Sequence, residues 1–373
     1  MRIKTIEPIA VRLPMRKPVI MAGEEVHQAD NVLVRITTDS GYIGWGEAAS
    51  APLMTGETVA GMVAAIRYLT QGLTGRDSRD IAGAAWVMQD RMYGNTGAKA
   101  AIEIALHDLA ARAVGKPVHT LLGEQQRTRV PLLGMIGGGD FDGDVRDAER
   151  AKREGFTVFK IKVGIDTAER DAKRTRAICA VIGSGSVISA DANQGFGTEE
   201  AIEYVRTVAG TGLDFFEQPV IAHDLAGMAA VAAASDIAIG ADEGIHSLGD
   251  SRSHHEQQAA RGVSLKAIKL GGLRPLVEAG RLCAELGMAV NIACKTGEAG
   301  IACAAALHAA AVMPALDWGM SLTNLALRED IIARPLYVAH GHAEVPDGPG
   351  LGITVDEASV AHYRIDVPER EIA

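Results

Sequence analysis

The sequence predicts an α/β barrel joined to a separate α+β region, and three observations carry that prediction. From about residue 130, short apolar runs alternate with Ala-rich amphipathic stretches, the pattern of strands feeding helices in a parallel sheet. There are eight such runs with seven helical stretches between them, as in a TIM-type barrel whose last helix is reduced or replaced. Charged residues also recur at the ends of successive runs: Lys160 and Lys162, then Asp191, Glu217 and Asp242, then Lys266. From Lys162 the steps are 29, 26, 25 and 24 residues, near the ~30 residues per β/α unit implied by a barrel of ~250 residues in eight units.

In chain order, residues 2–14, 30–38 and 42–48 read as strands, the last two joined by the hairpin turn Asp39-Ser40-Gly41. Residues 57–73, after Thr55-Gly56, and 97–114, ending at Gly115-Lys116-Pro117, carry helical apolar stripes. Barrel strands are expected at 131–136, 157–163, 186–191, 213–217, 237–242, 264–269, 288–294 and 315–318. Helices are expected at about 143–154, 167–181, 198–210, 223–234, 252–260, 274–286 and 299–312. The stretch after them has short strands and Gly/Pro turns and reads as packing back on the N-terminal region. Residues 1–128, completed by about 322–373, then form one domain, and 129–321 the barrel. No low-complexity linker separates them.

Composition narrows the function classes. Hydrophobic residues make up 47% of the 373, enough for a sizeable core, while aromatics are only 4%, so Ala, Gly and Val fill much of it. A net charge of −10 with no long basic run argues against nucleic-acid binding. No charge-free apolar run reaches the ~18 residues of a membrane span, and the strand-like N-terminus lacks a signal-peptide core. Cys179, Cys283, Cys294 and Cys303 show neither metal-knuckle nor disulfide-framework spacing, so a reducing cytoplasm is the expected setting.

Three carboxylates from three adjacent strands suit Mg²⁺, with Mn²⁺ as an alternative, because that hard ion prefers oxygen ligands and keeps room for substrate oxygens. No His or Cys stands at the three positions, which argues against Zn²⁺. Asn193, two past Asp191, either faces the same cavity or caps the next helix. Lys160 and Lys162 are two apart on one strand and share its inner face. Burial, their mutual repulsion and a nearby dication are all expected to favour a neutral amine, a usable general base. Lys266 falls on the sixth strand, opposite the second in a ring of eight, whereas Lys269, three further on, is expected to point elsewhere. The chemistry these parts imply is removal of a proton α to a metal-bound substrate carboxylate to give an enediolate. Reprotonation, elimination and cyclisation remain open as the second half.

These residues resemble the enolase superfamily, and within it the mandelate racemase/muconate lactonizing enzyme family and its muconate lactonizing subgroup. The motifs are Lys160-Ile161-Lys162, then Asp191, Glu217 and Asp242, then Lys266, with the GYIGWGE hairpin and the late DGPGLGI turn. The resemblance implies a modified (β/α)7β TIM barrel with an α+β capping domain built from both termini. It implies Lys162 and Lys266 as acid/base residues, Lys160 assisting at the substrate carboxylate, and a dimer or octamer. The segment NIACKTGEAG has no histidine, which disfavours the mandelate racemase subgroup itself.

Substrate contacts are expected from three regions. Asp317 and Trp318, read as the end of the eighth strand, suit an amine or alkylated ammonium, unless Trp318 is a core aromatic. Lys295 and Glu298 either touch a distal substrate group or are solvated loop charges. Loops 18–29 and 50–56 are expected to close over the site, with Met21, His27, Leu53 and Met54 as a partly apolar cap, though a lone His27 suits an ordinary loop equally. The leading expectation is a racemase or epimerase of a small carboxylate or amino-acid derivative. A muconate-type cycloisomerase comes next, then a syn-dehydratase or an o-succinylbenzoate-synthase-like elimination. A non-catalytic binding protein would have lost one of the six residues, and all six are present.

Overall fold

The computed structural model describes residues 1–21, 24–137 and 140–367. The chain opens with an antiparallel sheet of β1 (Ile3–Met21), β2 (Glu24–Thr38) and β3 (Ile43–Ala49), in that order. β1 and β2 run further than the alternation predicts. The segment expected as loop 18–29 is paired backbone, with Val19 opposite Val26 and Met21 opposite Glu24. The register shifts between Pro14 and Val19, where Pro14 and Pro18 have no N–H to give the ladder.

Helices α1 (Val59–Leu73), α2 (Ile81–Arg91), α3 (Thr96–Ala113) and the single turn α4 (His119–Leu122) follow. α2 escapes sequence reading because only Ala84 and Met88 on it are buried. α3 is buried from Gly97 to Ala111 and lies directly on β3. The glycines of the GYIGWGE segment allow that approach: a Cβ on Gly44 or Gly46 would strike the backbone oxygens of Ala105 or Ala101.

β4 (Arg129–Pro131) leads into the barrel. Then β5 (Leu133–Ile136), α5 (Phe141–Arg153), β6 (Val158–Lys162), α6 (Ala168–Ile182), β7 (Val187–Asp191) and α7 (Thr198–Thr207) alternate. They continue as β8 (Phe215–Glu217), α8 (Leu225–Ala233), β9 (Ala238–Ala241), α9 (Leu248–Glu256), β10 (Gly262–Leu265), α10 (Ala267–Leu270) and α11 (Leu273–Glu285). β11 (Ala289–Ala293), α12 (Gly300–Val312) and β12 (Met320–Ser321) complete the series. β5 to β12 form one eight-stranded parallel sheet in sequence order, and a parallel bridge from Leu132 to Met320 joins its two edges. The fold is a modified TIM barrel with a separate capping sheet.

Two barrel strands sit elsewhere than predicted. The sixth ends at Leu265, because Ala267–Leu270 coil into a turn of helix that Gly271 terminates in the left-handed region at φ 92°. The eighth is Met320–Ser321 and not 315–318, so Asp317 and Trp318 precede it. No α-helix follows it directly; a 3₁₀ turn (Thr323–Ala326) leads to β13 (Val338–Ala339), β14 (His342–Glu344) and α13 (Glu357–Tyr363).

Buried carboxylates fasten the cap to the barrel. Glu47 on β3 accepts from the N–H groups of Ala299 (2.6 Å) and Ala302 (2.8 Å) at the start of α12. Glu103 on α3 accepts from Leu273 (2.8 Å) and Arg274 (3.0 Å) at the start of α11. In both cases an acid answers the unsatisfied N–H groups of a helix N-terminus. The late segment returns to the same region: the Leu351 N–H donates to Asp108 (2.8 Å) and the Ile365 N–H to the Ala10 carbonyl (2.9 Å). Among the described residues no helix is long and apolar enough to cross a membrane, and all four cysteines are buried free thiols.

Candidate active site

Strand register sets the site. Lys162 pairs with Asp191, and Asp191 with Glu217, so the carboxyl ends of β6, β7 and β8 lie level. Asp242 and Lys266 directly follow β9 and β10 at the same rim. Room for Lys162 comes from Gly137, past the end of β5, where a Cβ would lie 2.7 Å from the Lys162 Cβ.

The six residues meet as ion pairs. Lys160 Nζ donates to Glu217 Oε2 at 2.6 Å and lies 3.7 Å from Asp191 Oδ2. Lys162 Nζ donates to Asp191 Oδ2 and to Asn193 Oδ1, each at 2.6 Å. Lys266 Nζ contacts both Asp242 carboxylate oxygens. Asn193 therefore faces the cavity: its left-handed backbone (φ 42°) turns the side chain inward, and its amide also donates to Glu243 Oε1 at 3.0 Å.

The neutral amines expected from burial are not what this arrangement favours. Burial does pull the Lys160 ammonium down, but Glu217 and Asp191 outweigh it and hold its pKa above the usual lysine value. Lys266 is raised in the same way, burial being outweighed by Asp242, Glu243 and Glu217. Reciprocally, burial raises Asp191 and Asp242, but lysines overcome it and leave both carboxylates below their ordinary range. Each lysine is in direct contact with a carboxylate, and that attraction outweighs repulsion between the lysines.

Two functional candidates were missed by sequence reading. Lys269 does not point away. The chain coils immediately after Lys266, so the residue three further on returns to the same side, and its Nζ donates to Asp242 Oδ1 (2.7 Å) and Ser264 O (3.2 Å). Its spacing in Lys-Ala-Ile-Lys was the available signal. Glu243, next to Asp242, is buried with Oε2 unpartnered, and burial followed by repulsion from Asp242 pushes its pKa to about 7.

The expected substrate contacts divide. Asp317 and Trp318 belong to the amino-terminal end of the barrel, away from the lysines. Asp317 Oδ2 accepts from the Val290 N–H (3.2 Å), near the start of β11. Trp318 is 6% exposed and stacks on Phe215 at 3.8 Å and 7°, over the space left by Gly240 and Gly262. Neither can hold a substrate amine at the rim. Lys295 and Glu298 do lie at the carboxyl rim, past β11, where Glu298 Oε2 accepts the Lys295 N–H at 2.8 Å. Burial pushes Glu298 to about 7. The Met54 side chain packs on the cap's own core while its carbonyl meets His246 Nε2 at 2.8 Å, docking loop 50–56 on the barrel mouth. His27 lies exposed on the β1–β2 ribbon, Leu53 is exposed, and the side chain of Met21 lies outside the described residues.

The donor set suits a hard divalent cation. Glu217 Oε1 is buried without a partner, and Glu217 is raised first by burial and then, against Lys160, by the adjacent Asp191 and Asp242. Three mutually repelling carboxylates with a spare oxygen form a site that a dication would relieve. With the lysines bound to them, the acids do not stand as a ready metal cluster among the described residues. A groove of about 800 Å³ lined by His119, Arg129, Arg334 and Tyr337 holds none of these groups.

Comparison with known proteins gives the family and agrees with the fold. Residues 4–123 match the mandelate racemase/muconate lactonizing enzyme N-terminal domain, and residues 144–359 the enolase C-terminal domain-like family. A chloromuconate cycloisomerase of Cupriavidus necator is 30% identical over 371 residues, covering 97% of this chain and 99% of that one. The N-succinyl-L-Arg/Lys racemase of Bacillus cereus is 30% identical, covering 98% of each. The structure of muconate lactonizing enzyme from Pseudomonas fluorescens in complex with muconolactone superposes with a TM-score of 0.93 at 31% identity, over 98% of this chain and 99% of that one. The chain belongs to the mandelate racemase/muconate lactonizing enzyme family of the enolase superfamily, and it is an enzyme of the isomerase class. Enzymes of this family are generally dependent on a divalent metal.

Proposed function

We propose that the protein moves a proton at the carbon α to a substrate carboxylate and acts as a racemase or epimerase of a small carboxylic acid. The observation that supports this reading is the position of Lys162 and Lys266, at the carboxyl ends of β6 and β10, four strands apart in a ring of eight. Side chains from opposed strands reach a planar α-carbon from its two faces. One lysine, as the amine, takes the proton; the other, as the ammonium, returns one from the opposite side. Lys160, buried beside Glu217, brings positive charge to the substrate carboxylate. Asn193 orients Lys162 through its 2.6 Å hydrogen bond. Asp191, Glu217 and Asp242 would hold Mg²⁺, with Mn²⁺ as the alternative, and the bound ion supplies positive charge toward the enediolate that proton loss creates. The capping ribbon and loop 50–56 keep water from the site.

A cycloisomerase is the second reading, favoured by the 30% identity to chloromuconate cycloisomerase over nearly the whole chain. In that case Lys162 alone handles the proton. With Asp317 at the other end of the barrel, the argument from an acid for an amino-acid substrate falls away.

Exchange in D₂O separates the two. Single-enantiomer carboxylic acids incubated with the Mg²⁺-loaded enzyme should gain deuterium at the α-carbon and invert. Lys162→Ala and Lys266→Ala should each lower inversion by ~10²-fold or more, the usual contribution of a positioned acid or base. Inversion that survives Lys266→Ala unchanged would sink the two-base assignment.

A further inference from the structure

A buried charge cluster stands outside the barrel wall, behind the strand that carries Lys160 and Lys162. Arg174 on α6 is its centre. Nη1 donates to Asp144 Oδ2 on α5 (3.0 Å), and Nη2 donates to Asp171 Oδ1 (2.8 Å) and to the backbone carbonyl of Lys162 (2.5 Å). Asp144 and Asp171 are buried, and the Arg174 side chain is 13% exposed. A cation placed anywhere between the two acids would satisfy them. The third bond is aimed at the residue whose side chain lies in the site, and the planar fork of a guanidinium reaches all three acceptors at once.

The cluster also reaches Lys162 by a second route. The other carboxylate oxygen of Asp171 accepts the Gly164 N–H (2.7 Å), which fixes the turn directly after β6. Gly164 is left-handed (φ 82°) and lies against the turn after β7. A Cβ on Gly164 would come within 2.7 Å of the Ala192 carbonyl oxygen, and a Cβ on Gly195 would strike the Gly164 carbonyl. Between Ala192 and Gly195 stand Asn193 (φ 42°) and Gln194 (φ 69°), two residues in a left-handed conformation that persists only where the surroundings hold it. Asn193 Oδ1 accepts from Lys162 Nζ at 2.6 Å. The backbone of Lys162 and a partner of its ammonium are thus both tied to Arg174 and Asp171.

We propose that Arg174 is a positioning residue for Lys162. From outside the barrel it sets the carbonyl end of β6 and, through Asp171 and Gly164, the turn that presents Asn193. The inference rests on the two-base reading above. Lys266 stands on the opposite side of the ring, and among the described residues it contacts Asp242 and nothing in this cluster. Releasing Arg174 therefore disturbs one of the two lysines. Displacing a reacting group by about 1 Å costs on the order of 10²-fold in rate, so a partial release should cost about tenfold at the face that Lys162 serves.

Proton exchange at the two faces of a carboxylic acid that the wild-type enzyme turns over reads this directly. Inversion needs both lysines, whereas exchange in D₂O with retention needs only the lysine facing the proton. Lys162→Ala and Lys266→Ala, each in the Mg²⁺-loaded enzyme, identify the enantiomer that each lysine serves. Arg174→Met should lower kcat for exchange of the enantiomer served by Lys162 by about tenfold, with KM within about twofold of wild type. The enantiomer served by Lys266 should stay within about threefold. Arg174→Lys, which keeps a cation beside the buried acids but has no fork, should show the same one-sided loss, smaller, and decides the matter where Arg174→Met does not fold. Equal slowing of both enantiomers, or no slowing in either variant, overturns the proposal. Amide hydrogen exchange followed by mass spectrometry on the same variants answers without turnover. Protection should fall in 158–165 and 190–196 and stay unchanged in 262–271 on the opposite rim. If no acid exchanges its proton, the proposed reaction fails alone, and the one-sided loss of protection still supports the clamp; a uniform loss, or none, overturns it.

Discussion

Replacing Trp318 separates a substrate contact from a structural plug. The indole is 6% exposed, lies 3.8 Å from the Phe215 ring, and covers the gap above Gly262, where a Cβ would run into the indole ring. Truncating a buried tryptophan to alanine costs about 3–5 kcal/mol, part of it from the cavity left behind. With a urea dependence of about 3 kcal/mol per M, a cost of about 4 kcal/mol lowers the midpoint by about 1 M. Trp318→Ala should therefore show that loss in urea titration followed by circular dichroism, with kcat/KM at 25 °C within about twofold of wild type. Gly262→Ala should also destabilise, by about 1–3 kcal/mol through overpacking, and should be only partly relieved in the Trp318→Ala background, where the indole is gone but the Ala289 carbonyl oxygen still lies 2.7 Å from the new Cβ. A tenfold fall in kcat/KM with an unchanged urea midpoint would return Trp318 to the substrate and refute its placement at the barrel's amino-terminal end.

Other expectations follow from the buried acids. Glu47→Ala strands the N–H groups of Ala299 and Ala302, each buried orphan costing about 1–3 kcal/mol, and leaves the Asn31 amide only the Gly297 carbonyl, so its urea midpoint should fall well below wild type. Glu103→Ala, which strands Leu273 and Arg274, should behave likewise by the same titration. Glu47 is lifted by burial to about 8, and Glu243 and Glu298 to about 7, so the folded chain holds protons that the unfolded chain releases near 4.5. Their contribution is complete below about pH 4.5 and is lost as pH rises through 7–8. The depressed Asp191 and Asp242 act only on acidification below 3.8, outside that window. Burial lowers His119, His254 and His308, which oppose this trend up to about pH 7, so urea midpoints should fall from pH 7 to pH 8.5, and a rise there would contradict the shifts. Mg²⁺ should raise the thermal midpoint of the wild-type protein and leave that of Asp242→Asn little changed, read by scanning calorimetry.

Much of the barrel was legible because its signals are local and repeated. A parallel strand covered on both faces must be apolar throughout, so a charge at its end stands out, as Asp191 does after Val187–Ala190 and Glu217 after Phe215-Phe216. What was not legible depended on contacts distant in sequence. The ribbon arms at 18–21 and 24–29 carry weak alternation, the first opens on Pro18, and only their mutual pairing makes them strands. Helix α2 buries too little to print a stripe. Whether the lysines meet carboxylates or each other depends on the level at which β6, β7 and β8 end, which the register decides.

The eighth strand shows how a small error along the chain becomes a large one across the site. Its predicted end, Trp318, precedes its observed end, Ser321, by three residues. At ~3.3 Å per residue that is about 10 Å, a large part of a short strand's length. Leu316-Asp317-Trp318 reads as an apolar run with an acid, but the strand needs Met320 beside Leu132 and Ile292 to close the barrel. Gly319, at φ 65°, makes the turn between plug and strand. Once the run slides down, an acid that would have met a substrate amine lies at the opposite end of the barrel.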